Sequence, residues 1–282
     1  MSFIASFIQG KCFLLCKKVI GVNGPLLYTC HVKNEEEKSI AKHSKVGFII
    51  ALLLTCAGGF LEAYSLYYRG FWGMMMTGNL VYGVAGIVEG APIKLLTYIP
   101  VVILFTVGVF LARLIEDKIA KNNEKKYHII ELSVIVGLLL VVMAIPTIFD
   151  PETKNPDKFA WPNIVSNGLI AIIGGFLTKS FASFDEVPYT ATMMTANMGR
   201  LAISTYDAIF GEEKAKSGKA ALKYLVIILL FAASAIGCYC FYYFIYKHLE
   251  GEALVSYFPN LTLVLPLILI ASSLIISAQK KE

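Results

Sequence analysis

Charge is scarce in this chain: Asp, Glu, Lys and Arg together make up 16% of its 282 residues, against about 25% in a typical soluble domain. With 57% of the residues hydrophobic, too few polar side chains remain to cover a water-facing surface, which excludes an ordinary soluble globule. Only four histidines are present, and the six cysteines (Cys12, Cys16, Cys30, Cys56, Cys238 and Cys240) show no zinc-ligand spacing, so neither a metal site nor a cofactor is expected. Catalytic signatures are missing as well. There is no HExxH, no GxSxG and no phosphate-binding glycine loop; the nearest approach, from Gly211 to Lys219, has the wrong spacing and is followed by Ala220. No basic stretch of the kind that begins a cleaved signal precedes the first apolar residues. The formal charge of +5 does not point to nucleic acid, because the lysines and arginines sit in short segments beside apolar runs, where they set orientation in a bilayer.

Long apolar runs are what the chain has in abundance. A hydrocarbon core of ~30 Å needs roughly 20 apolar residues per helix, and six runs meet that length: Val46 to Tyr67, Leu96 to Ile115, Ile129 to Phe149, Ile164 to Phe184, Leu222 to Tyr246 and Leu261 to Ala278. Before them, residues 1–45 carry seven lysines and the triplet Glu35 to Glu37. This N-terminal arm reads as a cytoplasmic or interfacial extension of the membrane domain, which covers residues 46–278.

The membrane domain repeats itself. Met75-Met76-Thr77-Gly78-Asn79 returns as Met193-Met194-Thr195-Ala196-Asn197, and each copy trails a Gly-Gly-Phe-Leu string, at 58–61 and at 174–177. From the first Gly to the Thr is 19 residues in one copy and 21 in the other. The repeats are assigned to residues 46–149 and 164–278. Each has a span, a motif segment (Phe71 to Val88, then Tyr189 to Phe210) and two further spans.

Positive charge decides whether the motif segments cross. Lys and Arg gather before the first span (Lys33, Lys38, Lys42, Lys45), between Arg113 and Lys126, and between Lys214 and Lys223. Were every apolar stretch to cross, consecutive basic clusters would fall on opposite faces, against the rule that positive charge stays inside. If both motif segments dip in and return, all three clusters share the cytoplasm with Lys280 and Lys281, and Asp150 to Lys158 lies outside. The expected fold is therefore an all-α polytopic membrane protein with six spans, two broken or re-entrant motif segments, two inverted repeats and both termini inside, as in secondary transporters built around broken helices.

Thr and Asn are good helix N-caps, and Gly permits the turn that starts a half-helix. Thr77, Gly78 and Asn79, with Thr195, Ala196 and Asn197, are thus expected to cap two half-helices aimed at a shared polar spot that would bind a small solute. The plainer reading has them satisfying neighbouring backbone. Of three intramembrane charges, Glu62 is read as a coupling group and Arg200, on the same side of a helix turn as Asn197, as an anchor for an anionic substrate. Lys179, one residue past the position that matches Glu62, is read as snorkelling or as a structural ion pair. The aromatics Tyr64, Tyr67, Tyr68, Phe71 and Trp72, like Tyr239, Tyr242, Tyr243 and Tyr246, are read as interfacial belts.

The stretch GGFLEAYSLYYRGFWGMMMTGN from Gly58 to Asn79 resembles the start of the YoaK or DUF1275 family of bacterial integral membrane proteins, and SFDEVPYTATMMTANMGR from Ser183 to Arg200 is similar to that family's second motif segment. The resemblance covers roughly residues 46–246, with Glu62 where the family tends to have Asp, Met76 where Gln is common and Ala196 for Gly. It implies a bacterial plasma-membrane location and names no substrate. The function expected from these readings is a transporter or channel for a small polar or anionic solute, with the lipid bilayer as partner. The alternatives are a membrane-embedded enzyme and a non-transporting scaffold or sensor.

Overall fold

The computed structural model describes residues 14–18, 28–32, 47–120, 124–149, 159–184, 187–246 and 262–279. The chain forms two compact units, Met1–His43 and Ser44–Glu282. In the first, β1 (Leu14–Lys18) pairs antiparallel with β2 (Tyr28–Val32), Cys16 opposite Cys30 in register. The arm lacks an apolar run long enough to span and lies outside the repeats. Deleting residues 1–40 is expected to leave membrane insertion and the melting temperature of the second unit unchanged; loss of insertion would show that the arm is part of the membrane fold.

The second unit is helical: α1 (Phe48–Arg69), α2 (Met76–Val88), α3 (Pro92–Ile115, continued by a π-helical turn Glu116–Ala120), α4 (Glu124–Phe149), α5 (Trp161–Ser180), α6 (Met194–Phe210), α7 (Lys214–Cys240, continued by a π-helical turn Phe241–Tyr246) and α8 (Val264–Gln279). Two residue pairs, Ser183–Phe184 and Val187–Pro188, make a small antiparallel bridge between α5 and α6. Among the described residues five helices are long and apolar enough to cross a membrane, those based on α1, α3, α4, α5 and α7. The expected sixth span, Leu261 to Ala278, is represented by the 16-residue α8. The two motif segments are shorter, with 13 residues in α2 and 17 in α6.

Burial inverts the soluble pattern. Of the five long helices, α1 and α5 are the least apolar and the most buried, whereas the more apolar α3, α4 and α7 turn most of their surface outward. Exposed Leu96, Phe110, Ile148 and Leu229 are the side chains that lipid covers and water would not. The core lies between, where Leu54, Leu61 and Tyr64 of α1 meet Leu132, Ile135 and Leu139 of α4 and Ile173, Phe176 and Leu177 of α5.

Helix pairing follows one rule. α1 packs on α7 as α5 packs on α3; α2 packs on α3 as α6 packs on α7; α4 packs on α5 as α8 packs on α1. Exchanging α1 with α5, α2 with α6, α3 with α7 and α4 with α8 leaves this set unchanged. The double glycines make the close crossings: a Cβ on Gly59 would lie 2.5 Å from the Phe231 carbonyl oxygen of α7, and one on Gly175 would overlap that of Phe105 in α3.

The ends of the bundle sort by contact. At one end the start of α1 meets the chain that follows α5, through Phe48 on Phe184 (5.3 Å between centroids) and the Tyr189 hydroxyl on the Ala51 carbonyl (3.2 Å). Lys179, late in α5, pairs with Glu116 after α3 at 2.9 Å, and Phe181 stacks on His128 near the start of α4. At the other end Arg69, last in α1, donates to Asn163 at the start of α5 (3.0 Å), Phe71 meets Tyr98 of α3, and Tyr67 meets Tyr239 of α7.

Candidate functional site

Each motif copy sits where the chain doubles back. α1 ends at Gly70, whose φ of 73° permits the left-handed turn that costs a side-chain-bearing residue more. Residues 71–75 then run back beside α1, pinned by the Phe71 N–H on the Ser65 carbonyl (3.2 Å), the Gly73 N–H on Ser65 Oγ (2.8 Å) and the Met74 N–H on Glu62 Oε2 (2.8 Å). Only there does α2 begin, and it leads outward again to the start of α3, where Gly86 lies against Lys94 and Ala91.

The second copy repeats this geometry. Superposing the Gly-Gly-Phe-Leu strings matches Glu62 to Thr178, and Thr178 Oγ1 is 2.8 Å from Thr192 Oγ1, as Glu62 is bonded to Met74. The loops also interlock across the repeats. A Cβ on Gly58 of α1 would meet the Ala191 carbonyl oxygen at 2.7 Å, and one on Gly174 of α5 would meet Met74 Cγ at 2.7 Å. Each glycine pair therefore seats the other repeat's motif loop.

The capping expectation is corrected. Met75 and Met193 hold the N-cap positions without a side-chain cap bond, while Thr77 and Asn79 lie inside the first turns. The asparagines reach back seven residues instead: Asn79 Nδ2 donates to the Trp72 carbonyl (2.6 Å) and Asn197 Nδ2 to the Thr190 carbonyl (2.7 Å). Asn197 Oδ1 also accepts the Thr190 N–H (3.2 Å) and Arg200 Nη1 (3.2 Å). Both asparagines are fully buried loop clasps. Gly78 does not supply the turn, since Gly70 and Gly90 are the positive-φ glycines among the described residues, and this is why Ala196 serves equally in the second copy.

A cavity of about 790 Å³ lies between α1, α7 and the two motif loops. Glu62, Thr77, Thr195 and Ala196 line it; Gly78, Asn79, Asn197 and Arg200 lie off its wall. Its surface is mostly apolar and rich in methionine, from Met74, Met75, Met76, Met193 and Met194, with Tyr67, Trp72 and Tyr239 adding aromatic area. Glu62 is buried, and its Oε1 has no hydrogen-bond partner among the described residues. The expected polar spot is thus a largely apolar chamber with one carboxylate.

The other expected charges are placed as follows. Lys179 makes its ion pair with Glu116, which also takes Arg113 at 2.7 Å, in agreement with a structural role. The aromatic belt reading is corrected for Tyr64, Tyr68 and Phe71, which are buried: Tyr64 stacks on Tyr68 at 5.2 Å and its hydroxyl accepts Arg69 Nη2 at 2.6 Å. Two buried charges escaped the sequence reading, Arg69 and Glu131. Each lies near the end of an apolar run, where a charge looks interfacial. Asp185, Glu186 and the loop 150–158 lie outside the described residues.

Among the described residues no group of three or more His, Cys, Asp and Glu side chains is placed to hold a metal ion. A helical chain built around five membrane-length apolar helices, with a carboxylate-bearing chamber at two paired chain reversals, is a polytopic α-helical membrane protein. It belongs to the DUF1275 family, described as proteins of unknown function, whose family model matches residues 50–274. No curated protein and no solved structure matches it.

Proposed function

We propose that this protein carries a small solute across a membrane, with its binding site in the chamber between the two motif loops and Glu62 as the coupling group. The observation that carries the reading is that both motif copies, far apart in sequence and seated on each other's glycine pairs, line one cavity together with that carboxylate. A packed apolar centre, as a scaffold would have, is not what lies between them. Arg200 is tied to Asn197 and stands off the cavity wall, so the anionic part of the substrate expectation has no support there.

The pairing rule and the sorted bundle ends support six crossings in two inverted repeats, with both motif segments re-entrant from opposite faces. α1 and α5 are exchanged by the rule, and each has its start beside the other's finish. α2 and α6 start deep and leave by the ends where α3 and α7 begin. On this topology both termini are cytoplasmic. In a variant freed of native cysteines, Asn122→Cys and Ser217→Cys are both expected to resist a membrane-impermeant maleimide applied to intact cells and to label once the membrane is opened. Labelling of one site alone from outside would break the inverted arrangement.

The test of transport is access to the chamber. Thr77→Cys and Thr195→Cys in membrane vesicles of either orientation should both react with an impermeant maleimide from either face, at rates that differ between faces, because alternating access exposes one site to each side in turn. Reaction from one face only would overturn the transport reading.

A further inference from the structure

We infer that the chamber's ligand is an amphipathic organic cation, one positive charge carried on an aromatic or bulky apolar body; this rests on the chamber being the binding site. Three observations converge on that class.

The first is charge. Among the described residues no Lys, Arg or His lines the cavity, and Glu62 is the one carboxylate on its wall. Tyr67 and Tyr239 are the remaining titratable groups on the wall. An anion would meet the carboxylate with no side-chain cation to offset it. The first-turn amides of α2 and α6 do favour negative charge, but the chamber already holds one negative group just ahead of α2: Glu62 Oε2 accepts the N–H of Met74, the loop residue before the N-cap Met75, at 2.8 Å. Oε1 remains, buried and unpartnered among the described residues, and a buried carboxylate oxygen in that state is satisfied by a proton or by a cation.

The second observation is the rest of the wall. A hydrated inorganic ion or a sugar needs several polar groups to replace its water, and this lining offers few besides threonine hydroxyls. Methionine is flexible and polarisable and accommodates varied apolar shapes. A soft metal ion is not the better fit. The sulfur of Met74 packs toward Gly174, that of Met75 toward Gly78, and that of Met194 accepts from Asn197 Nδ2, so these thioethers turn to three different neighbours and not to one shared point.

The third is aromatic area beside the acid. Trp72 and Tyr67 line the chamber, and Tyr67 packs on Tyr239 with 4.9 Å between centroids. Aromatic faces attract a poorly hydrated cation. Tyr67, Tyr239 and Ile236 are also outwardly exposed, so the chamber's rim is apolar, which suits a solute that partitions into lipid.

The probe is tetraphenylphosphonium, measured by equilibrium dialysis against the purified full chain in detergent, with tetraphenylborate and tetraphenylmethane as the anionic and neutral bodies of the same shape. Saturable binding of the cation is expected, with at least tenfold preference over both isosteres after subtraction of empty micelles. Glu62→Gln, which keeps an oxygen for the Met74 N–H, should weaken cation binding about tenfold or more and leave the neutral body unaffected. Glu62→Asp should restore most of it, and Trp72→Ala should weaken it with the carboxylate intact. Equal affinity for all three bodies, or a cation affinity that Glu62→Gln leaves unchanged in a folded protein, overturns the cation class. The cysteine-access measurement separates the two readings: access from both faces with no preference for the cation refutes this inference alone, whereas cation binding with access from one face refutes transport and leaves the ligand class standing.

Discussion

Gly175→Ala should cripple the folded protein. The added Cβ would overlap the Phe105 carbonyl oxygen and lie 2.8 Å from the Val109 nitrogen. Both are backbone atoms of a helix, so no side chain can rotate away. α3 and α5 must move apart, and the close approach of helix backbones that small residues permit in membranes is lost along the whole crossing. Overpacking costs about 1–3 kcal/mol and occasionally more, and a backbone-on-backbone clash belongs at the upper end. Alanine's higher helix propensity returns only about 1 kcal/mol. Gly59→Ala should act alike at the matching crossing, where the Phe231 oxygen stands at 2.5 Å, whereas Gly137→Ala, with nothing within 4 Å of its Cβ, should be neutral or slightly stabilising. Thermal unfolding of the three variants in one detergent settles it. A melting temperature for Gly175→Ala equal to that of Gly137→Ala would mean the crossing is looser than described.

Replacing the clasps is the second large effect. Asn197→Leu leaves the Thr190 carbonyl and N–H without their partners and strips Arg200 of its Asn197 contact. Buried polar groups orphaned in this way cost about 1–3 kcal/mol each. Asn79→Leu orphans the Trp72 carbonyl alone, so its effect on stability should be the smaller of the two. The loops they hold carry Met75 to Thr77 and Met193 to Thr195 into the cavity wall. Both variants should insert, yet lose the two-faced access pattern of Thr77→Cys and Thr195→Cys and bind tetraphenylphosphonium weakly. Thr77→Val, which removes one hydroxyl and keeps the volume, should change either readout much less. If both leucine variants keep wild-type access and wild-type melting, the asparagines are incidental.

How much of this was legible beforehand differs by element. The five long helices were, because some 20 apolar residues in a row have one physical use, and the duplicated strings identified the two chain reversals before any coordinates did. The role of Asn79 and Asn197 was not. A cap and a seven-residue clasp use the same side chain near the same helix start, and only the path of residues 71–75 distinguishes them. Gly70, which makes the reversal, sits outside the repeated strings, whereas the conspicuous Gly78 inside them is an ordinary helical residue. The place of Arg200 was also beyond reach: spacing put it on the Asn197 side of the helix, correctly, but could not say that this side faces away from the chamber. The methionine wall was spelled out in the motif itself and was overlooked because Thr and Asn carry the more familiar chemistry.

The crossed pairing of the halves bears on how the chain is made. α1 finds its long crossing partner not in its own repeat but in α7, and Gly59 waits for a carbonyl at Phe231, about 170 residues downstream. At the roughly 5–20 residues per second of synthesis, the first helix has already entered the bilayer on the order of ten seconds before its groove can close. During that interval lipid tails or a chaperone must occupy the glycine face, and the late helix has to displace them. The order in which the ribosome delivers the helices thus leaves the glycine face of α1 without its protein partner until α7 has been made.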